Sequence, residues 1–334
     1  MDAERSPRPD RDGQVTRWGV IGTGGIAATF VTDLGLLPDT EVVAVGSRSQ
    51  GSADAFGDEF GIARRHPSYQ SLVDDPDVDV VYVSTPHPWH FPAAMLAIEA
   101  GKAVLCEKPF TLNASEAAEL IAAARRHGVF LMEAMWTRFL PHIRHVRELL
   151  PRLGNVVTVT ADHGQWFAQD RDFRLFAPEL GGGALLDLGV YPVSFASMVL
   201  GKPDRIVTLV DPAFTGVDGQ TSMLFGYASG AQAVLTCTLF AESPTSGAIV
   251  GTDARIEIDG NFYAPTSFDV ISRTGERTRF EAPHEGRGLW HEAEEVARCL
   301  REGLLESPFM PLDESVEIMQ TMDAVLQGAV SAGA

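Results

Sequence analysis

The sequence predicts an α/β domain built around a doubly wound parallel sheet, followed by an α+β domain with a mostly antiparallel sheet. The chain has 334 residues, which is too long for one ordinary hydrophobic core and favours two domains. From Arg17 to about Phe130, short apolar runs alternate with helical stretches, a rhythm typical of βαβ units. After Pro141 the apolar runs follow one another through turns, which is typical of antiparallel strands.

Four β-branched runs should form the parallel sheet of the first domain: WGVIG, EVVAVGS, DVVYVST and KAVLCEK. They are almost continuously apolar because helices bury both faces of a parallel sheet. Amphipathic stretches at 93–100 and 115–126 predict two of these helices. We place this domain at residues 16–138, after a charged, proline-bearing stretch at 1–15 that we expect to be a disordered tail.

The second domain, 139–334, should begin with a helix at 141–150 and continue as strands. The predicted strands are NVVTVTA, RIVTLVD, SMLFGY, QAVLTCT, RIEID and FDVIS, with a hairpin tip at 228–230. Helices at 289–302 and 314–325 should help to cover one face of the sheet, leaving the other face open. QAVLTCTLF carries apolar residues on both faces, so we expect a second copy of the chain to bury the open face as a homodimer.

Composition excludes several classes of partner and compartment. The net charge of -19 argues against binding to nucleic acid or an anionic membrane. We find no continuous run of about 20 apolar residues and no signal-peptide pattern. Cys106, Cys237 and Cys299 have neither a disulfide framework nor a zinc spacing, which favours a reducing cytoplasm.

The segment GVIGTGGIAATF predicts a dinucleotide site. It places G-x-G-x-x-A at Gly22, Gly24 and Ala27, after an apolar strand and at the start of a helix, as in a Rossmann domain. The loop backbone should approach a pyrophosphate, with Thr23, Gly25 and Ile26 beside it, while Ala27 lets helix and strand pack closely. The alternative is a simple glycine turn.

The end of the second strand favours NADP over NAD. An NAD site usually has a carboxylate here to bind the ribose 2′-hydroxyl, whereas this strand is followed by Ser47 and Arg48. A hydroxyl and a guanidinium suit a 2′-phosphate. The alternative is a solvated loop arginine.

Two further segments suggest catalytic residues. The strand KAVLCEK ends in Glu107, Lys108 and Pro109 at the ligand-binding edge of the sheet, with a cis bond possible before the proline; the alternative is a surface lysine. In GGGALLDLGVYP, glycines 181–183 precede a helix on which Asp187 and Tyr191 share a face. By itself, this second pattern favours an ordinary helix with a glycine cap.

Together these motifs resemble the glucose–fructose oxidoreductase/inositol dehydrogenase (Gfo/Idh/MocA) family, over nearly all of the chain beyond its N-terminal tail. MEAMWTRFLP and RLFAPELGGGALLDLGVYP are most similar to the branch of dimeric dihydrodiol dehydrogenases and NADP-dependent D-xylose dehydrogenases. Tyr191 stands where many family members have histidine and fits this branch. The resemblance implies a Rossmann domain, an open-faced C-terminal sheet and dimerisation through that sheet.

The resemblance also implies a catalytic pair. Tyr191 would exchange a proton with the substrate oxygen as hydride moves between the substrate carbon and nicotinamide, and Lys108 would lower the pKa of Tyr191. Asp187 would position the substrate or the lysine. Thr85, Pro86 and His90 match the family's T-P-x-x-x-H pattern and, with Glu107 and Lys108, should lie beside the cofactor.

Residues at the domain junction are candidates for the substrate site, although each is equally compatible with packing. They are His87, Trp136, Arg138, Phe139, Arg174 and Phe176, together with Asp187. The H-x-x-H pairs His87/His90 and His142/His145 lack a further ligand at a familiar spacing, so we predict no metal site.

The predicted function is an NADP-dependent oxidoreductase acting on a secondary alcohol, hemiacetal or carbonyl carbon of a sugar, polyol or trans-dihydrodiol. One alternative is a ketoreductase for a modified sugar in a biosynthetic pathway. Another is a non-catalytic NADP-binding sensor protein, which would not need the Lys108 and Tyr191 that this chain retains.

Overall fold

The structure is a computed structural model that describes residues 15–328. Of the predicted tail, residues 1–14 lie outside the described part. In this part, the first sheet has six parallel strands in the order β3-β2-β1-β4-β5-β6. They are β1 (Thr16–Ile21), β2 (Thr40–Gly46), β3 (Arg64–His66), β4 (Val80–Val83), β5 (Ala103–Glu107) and β6 (Leu131–Ala134). The intervening helices are α1 (Gly25–Leu34), α2 (Gln50–Phe60), α3 (Tyr69–Val73), α4 (His90–Glu99) and α5 (Ala114–His127).

The second sheet has eight strands. They are β7 (Val156–Gly164), β8 (Arg205–Pro212), β9 (Asp218–Gly226), β10 (Gln232–Thr238), β11 (Gly247–Gly251), β12 (Ala254–Ile258), β13 (Phe268–Ser272) and β14 (Arg277–Phe280). Their order is β14-β13-β12-β11-β7-β10-β9-β8, and every neighbouring pair is antiparallel except β7 with β10. The helices of this half are α6 (Pro141–Leu149), α7 (Val190–Leu200), α8 (Trp290–Arg301) and α9 (Leu312–Leu326).

The predicted fold class is confirmed: a doubly wound parallel sheet precedes a mostly antiparallel one. The hairpin tip at 228–230 is also present, since the Tyr227 N–H donates to the Ala231 carbonyl at 3.1 Å and Gly230 adopts φ 87°. Four strands were missed, namely β3, β6, β11 and β14. They are three to five residues long, and β3 and β14 are rich in arginine, so local pattern gives them little signal.

The last two helices differ from their predicted role as a simple cover for the second sheet. Helix α8 packs against α1 of the first domain, and α9 packs against both α5 and α7. The Ser315 hydroxyl on α9 donates to the Glu133 carboxylate on β6 at 2.7 Å. These helices therefore tie the C-terminal part of the chain back onto the Rossmann domain.

One helical segment has the length and composition of a membrane span, although no continuous apolar run was found in the sequence. Pro178–Leu200 has 23 residues, and the mean hydropathy of its most apolar 18-residue window is 1.5. Because 78% of its most apolar window is buried inside the protein, it has the character of a core helix.

Helix α7 lies on the inner face of the second sheet, over β7 and β10. The segment that leads into it, 165–189, carries Arg174 and Asp187 and contacts His87 and Lys108, which follow the carboxyl ends of β4 and β5. The carboxyl ends of parallel strands form the ligand-binding edge in doubly wound folds. The two sheets thereby place their functional segments next to one another.

An aromatic cluster at the centre of the first domain gives a stability prediction. Phe30 is fully buried, with its ring centroid 3.8 Å from that of Tyr82 and 5.3 Å from that of Trp18. Phe30→Ala should lower the free energy of unfolding by about 3–5 kcal/mol because it removes buried contacts and leaves a cavity. Denaturant unfolding measures this loss. Phe214→Ala, at a side chain that is 46% exposed, is the matched control, and an equal loss in both variants would contradict the prediction.

Candidate functional site

A cavity of about 630 Å³ lies along the carboxyl edge of the first sheet and extends to the segment before α7. Its lining includes most of the predicted site residues: Gly22, Thr23, Gly24, Gly25, Ile26, Ser47, Arg48, Thr85, Pro86, His87, His90, Glu107, Lys108, Trp136, Arg174, Asp187 and Tyr191. Residues from distant parts of the sequence thus form one site, as expected for a ligand cleft between two domains.

The glycine loop after β1 forms one wall of the cavity. Gly22 has φ 104°, and a Cβ there would lie 2.8 Å from the Ser84 carbonyl oxygen, so the tight turn requires glycine. A Cβ at Gly24 or Gly25 would meet no atom within 4 Å, which leaves the backbone open to the cavity. Gly24 caps α1 without a side-chain hydrogen bond, so the first N–H groups of the helix remain available to an anion.

Ser47 and Arg48 lie at the end of β2, where Tyr69 joins them in the cavity wall. Among the described residues, the carboxylates that line the cavity are those of Glu107 and Asp187. Glu107 is the last residue of β5, three strand spacings or about 14 Å from β2, and Asp187 is bonded to the neighbouring Lys108. At the β2 end of the cavity, Arg48 therefore supplies a positive charge, and no carboxylate of the described residues lines the cavity there.

His90 holds together the loops that follow β4 and β5. Its two ring nitrogens each lie 2.8 Å from a backbone oxygen, one of Thr85 and one of Pro109. A neutral imidazole donates through one nitrogen only, so one of these contacts is a hydrogen bond, and the buried ring packs between the two loops. The predicted cis bond between Lys108 and Pro109 is present next to it.

Glu107 is buried just before the candidate catalytic lysine. Its carboxylate accepts hydrogen bonds from the Tyr82 hydroxyl and, at 3.1 Å, from the Lys108 backbone N–H. Burial raises the pKa of Glu107 to about 6, although its donors and the Lys108 ammonium act in the opposite direction. The carboxylate thus fixes the backbone from which the Lys108 side chain extends.

Asp187 is the centre of a buried ion cluster. Its carboxylate accepts two hydrogen bonds from Arg174, at 2.9 and 3.1 Å, and one from the Lys108 ammonium at 3.3 Å. His87 Nε2 lies 3.7 Å away. Burial would raise the pKa of Asp187, but Lys108, His87 and Arg174 outweigh it and hold the pKa well below its usual value. For Lys108, burial would lower the pKa, but Asp187, Tyr191 and Glu107 raise it on balance, so the pair is ionised.

The backbone at Asp187 departs from a regular α-helix. Residues Leu185–Gly189 form a π-helical turn that leads into α7, and such turns are frequent at functional sites. The buried Asp218 accepts a hydrogen bond from the Leu185 N–H at 2.6 Å. A Cβ at Gly183 would lie 2.1 Å from the Asp218 carboxylate, which explains the glycine at that position. Asp218 therefore positions the start of the helical segment.

Tyr191 follows on the same helical segment, and its hydroxyl oxygen accepts a hydrogen bond from Trp136 Nε1 at 3.0 Å. The Lys108 ammonium lies over the tyrosine ring, 4.8 Å from its centroid. Burial raises the pKa of Tyr191 to about 12, and the opposing effect of Lys108 is smaller. Lys108 thus lowers the pKa of Tyr191 as expected, but desolvation of the phenolate is the stronger effect, so the net pKa lies above its ordinary value.

Four predicted site residues do not line the cavity. Ala27, Phe139 and Phe176 are buried core residues. Arg138 is also buried, and its guanidinium binds Ser194 and, at 2.7 Å, the Glu314 carboxylate. In each case the side chain packs into the protein and does not face the cavity.

Several cavity residues were missed by the sequence analysis: Thr29, Tyr69, Ser84, Leu180, Tyr263, Arg287 and Leu289. Ser84 and Thr29 are close to recognised motifs, so extending those motifs by one turn or one residue would have included them. Tyr263, Arg287 and Leu289 reach the cavity only through tertiary folding. Within residues 15–328, no cluster of three His, Cys, Asp or Glu side chains has the arrangement of a metal site.

Two family models together match most of the chain. Residues 16–135 match an oxidoreductase family with an NAD-binding Rossmann fold, and residues 143–260 match the GFO/IDH/MocA C-terminal domain. Proteins named trans-1,2-dihydrobenzene-1,2-diol dehydrogenase are similar over almost the full length. The protein from Xenopus tropicalis is 39% identical over 326 residues, covering 93% of this chain and 97% of the relative. The protein from Mus musculus is 40% identical over 321 residues, covering 92% and 95%.

Solved structures show the same architecture. The 3-ketoreductase KijD10 from Actinomadura kijaniata, in complex with NADP and TDP-benzene, is 27% identical with a TM-score of 0.84, covering 95% of this chain and 98% of that one. An aldose-aldose oxidoreductase from Caulobacter crescentus, complexed with glycerol, has a TM-score of 0.86 with the same coverage; at 24% identity it supports the fold alone. The family matches, the near-full-length relatives and the two-sheet fold together identify the chain as an oxidoreductase of the Gfo/Idh/MocA family.

Proposed function

We propose that this oxidoreductase uses NADP and acts on a secondary alcohol or hemiacetal carbon of a cyclic vicinal diol, or on the corresponding carbonyl. Trans-dihydrodiols, sugars and cyclic polyols share this chemistry. The observation that carries the proposal is the convergence of Lys108, Asp187 and Tyr191 in the cavity that also contains the glycine loop. One end of this cavity suits a dinucleotide, and the other holds a proton donor beside buried charges.

The residues present fit a dinucleotide phosphate. The open backbone at Gly24 and Gly25 gives a pyrophosphate access to the N-terminus of α1. Ser47 and Arg48 supply a hydroxyl and a guanidinium at the end of β2, and no lining carboxylate of the described residues lies there to repel a 2′-phosphate. These features favour NADP over NAD.

Tyr191 is the proposed proton donor and acceptor. Because the Trp136 N–H is donated to the tyrosine oxygen, the hydroxyl proton is free to point at a substrate oxygen. The raised pKa keeps the phenol protonated at neutral pH, ready to donate to a carbonyl oxygen. A bound nicotinamide would supply the hydride to the carbonyl carbon in reduction or accept it from the alcohol carbon in oxidation. In oxidation the alcohol proton passes to the Tyr191 oxygen, and the ammonium of Lys108 favours the phenolate during that transfer.

The ion cluster at Asp187 is the proposed binding site for the substrate hydroxyls. Arg174 is about half exposed, with a side-chain exposure of 48%, although it pairs with the buried carboxylate. Arg174 and Lys108 can donate hydrogen bonds towards the cavity, and Asp187 holds both of them in place. The aromatic rings of Trp136 and Tyr263 supply apolar surface for a six-membered ring.

The relatives support a diol or sugar substrate, and a panel assay decides between them. Absorbance at the reduced-nicotinamide band is measured with NADP or NAD and with a trans-dihydrodiol, aldoses and cyclic polyols; keto-sugar nucleotides are tested with NADPH. Oxidation of a diol or sugar with NADP supports the proposal. Reduction of keto-sugars alone would instead favour a ketoreductase, the activity named for the neighbour KijD10. Cofactor binding without any turnover would favour a sensor.

We also propose a homodimer formed through the open face of the second sheet. Val207, Leu224 and Val234 stand in register across β8, β9 and β10, and are 51%, 41% and 45% exposed. Leu209 on the same face is 68% exposed. A contiguous aliphatic patch of this kind is typical of an interface, and a second copy would cover it by two-fold symmetry.

Tyr191→Phe should reduce turnover about 100- to 10,000-fold because it removes the proton donor while keeping the ring. Steady-state kinetics on the best substrate measure kcat, and fluorescence titration checks that NADPH affinity is nearly unchanged. Tyr227→Phe is the matched control, since that buried hydroxyl lies outside the cavity and lacks a hydrogen-bond partner in the described part of the chain. Near-normal turnover of Tyr191→Phe would show that another group transfers the proton.

Arg48→Ala should weaken NADPH binding about 10- to 100-fold and leave NADH binding nearly unchanged. The size follows from losing a charge-assisted hydrogen bond of about 1.5–3 kcal/mol to the 2′-phosphate. Calorimetric titration with both cofactors measures the two effects. Arg126→Ala, at an exposed arginine near the end of α5, is the control. Equal affinity of the variant and the wild type for NADPH would exclude Arg48 as the phosphate ligand.

Leu224→Glu should convert a dimer into a monomer because it places a charge in the aliphatic patch. Sedimentation equilibrium measures the mass, which for the unaltered protein should be twice that of one chain. Leu305→Glu changes a side chain of similar exposure, 46%, outside the patch and should remain dimeric. A monomeric wild-type protein would rule out this dimer.

A further inference from the structure

A segment from the C-terminal part of the chain crosses the cofactor end of the cavity. We call residues 285–289 the C-terminal strap. It enters from β14 and leads into α8, and its Arg287 and Leu289 line the same cavity as the glycine loop after β1. None of the motifs in the first domain predicts this contribution.

Asp33 on α1 anchors the strap. Its carboxylate accepts hydrogen bonds from the backbone N–H of Arg287, at 2.9 and 3.1 Å, and from that of Leu289 at 2.8 Å. Asp33 is only 2% exposed, so these bonds are shielded from water. At the other end of the strap, Trp290 Nε1 donates to the Glu285 carbonyl at 3.0 Å.

The strap backbone is shaped for this anchor. Gly286 and Gly288 have φ values of 65° and 95°, which other residues rarely adopt. A Cβ at Gly286 would lie 2.5 Å from the Asp33 carboxylate oxygen. Glycine at 286 therefore allows the backbone to approach Asp33 closely enough for both N–H groups to bind it.

The anchor places Arg287 near the proposed pyrophosphate site. Asp33 stands eight residues after Gly25, or about 12 Å along the helix axis. The strap turns from Asp33 towards the helix start, because Arg287 lines the cavity together with Ile26 and Thr29 of the first turns. An arginine side chain spans much of that distance.

Arg287 is one of the cavity cations that are not paired with Asp187, so it is available to bind an anion. The lining cations are Lys108, Arg174, Arg48 and Arg287. Lys108 and Arg174 both bind Asp187, and Arg48 lies at the end of β2. The exposed Arg287 side chain forms no ion pair with any carboxylate among residues 15–328. In a chain of net charge -19, such a cation beside an open helix N-terminus suits a phosphate ligand.

We propose that Arg287 binds the pyrophosphate of the dinucleotide, so that the cofactor ties the C-terminal part of the chain to the Rossmann domain. Asp33 is the positioning residue that holds the strap for this contact. The inference rests on the proposed use of a nicotinamide dinucleotide, but it does not depend on the choice between NADP and NAD. Both cofactors contain the pyrophosphate, whereas only NADP has the 2′-phosphate proposed for Arg48.

The test measures the dissociation constants of NADPH and NADH by calorimetric titration. Arg287→Gln should weaken both cofactors by about the same factor, tenfold or more, because it removes a charge-assisted contact common to both. Arg273→Gln, at another exposed arginine of the C-terminal half, should leave both constants unchanged. Unchanged binding of both cofactors to Arg287→Gln would overturn the inference. Weakening of NADPH alone would also overturn it, because Arg287 would then act on the 2′-phosphate.

A double-mutant cycle tests the role of Asp33. Asp33→Asn should also weaken both cofactors, because the amide presents one acceptor oxygen in place of two to the strap. If Asp33 acts through Arg287, the double variant Asp33→Asn/Arg287→Gln should bind no more weakly than Arg287→Gln alone. Additive losses would reject the positioning role. If the unaltered protein binds neither cofactor, the proposed function itself fails, and this outcome is distinct from a failure confined to the variants.

Discussion

The buried carboxylate of Asp187 is the interaction on which the functional site depends. Lys108 comes from the end of β5 in the first domain, whereas Arg174 and Asp187 come from the segment that precedes α7 in the second. A single buried side chain therefore holds two cations, one from each part of the chain. Loss of one partner from such a cluster leaves an uncompensated buried charge, which is strongly unfavourable. The ion pairs of Asp187 therefore help to fix the position of the two domains relative to each other at the site.

Desolvation decides how the groups around this cluster ionise. Asp187 and Lys108 stay charged because each faces an opposite charge. The Tyr191 hydroxyl instead receives a hydrogen bond from the neutral Trp136 side chain, and it keeps its proton. The same burial raises the pKa of Glu107. Closely spaced titratable groups with different environments are typical of acid–base sites. Here the difference arises because the Lys108 ammonium forms an ion pair with Asp187 but only lies over the ring of Tyr191.

An acidic protein needs local positive groups to bind an anion, and this chain has such groups along one edge of its first sheet. The start of α1 presents unpaired N–H groups, Arg48 follows β2, and Arg287 arrives on the C-terminal strap. Asp33 in α1 binds the backbone of the strap and so helps to position Arg287. The last two helices then pack back onto the first domain, and the cofactor end of the cavity is built from both ends of the described chain.

The sequence by itself determined the fold class and the residues with local signatures. Glycine spacing after a strand revealed the dinucleotide loop, and the segments around Lys108 and Tyr191 carried the family resemblance, because their geometry is fixed by neighbouring residues. Tertiary structure decided which side chains face the cavity. Arg138 and Phe176 turn into the core, whereas Tyr263 and Arg287 reach the site from far along the chain. It also decided the protonation of Tyr191, because the pKa of a buried group depends on desolvation and on charges that only folding brings near it.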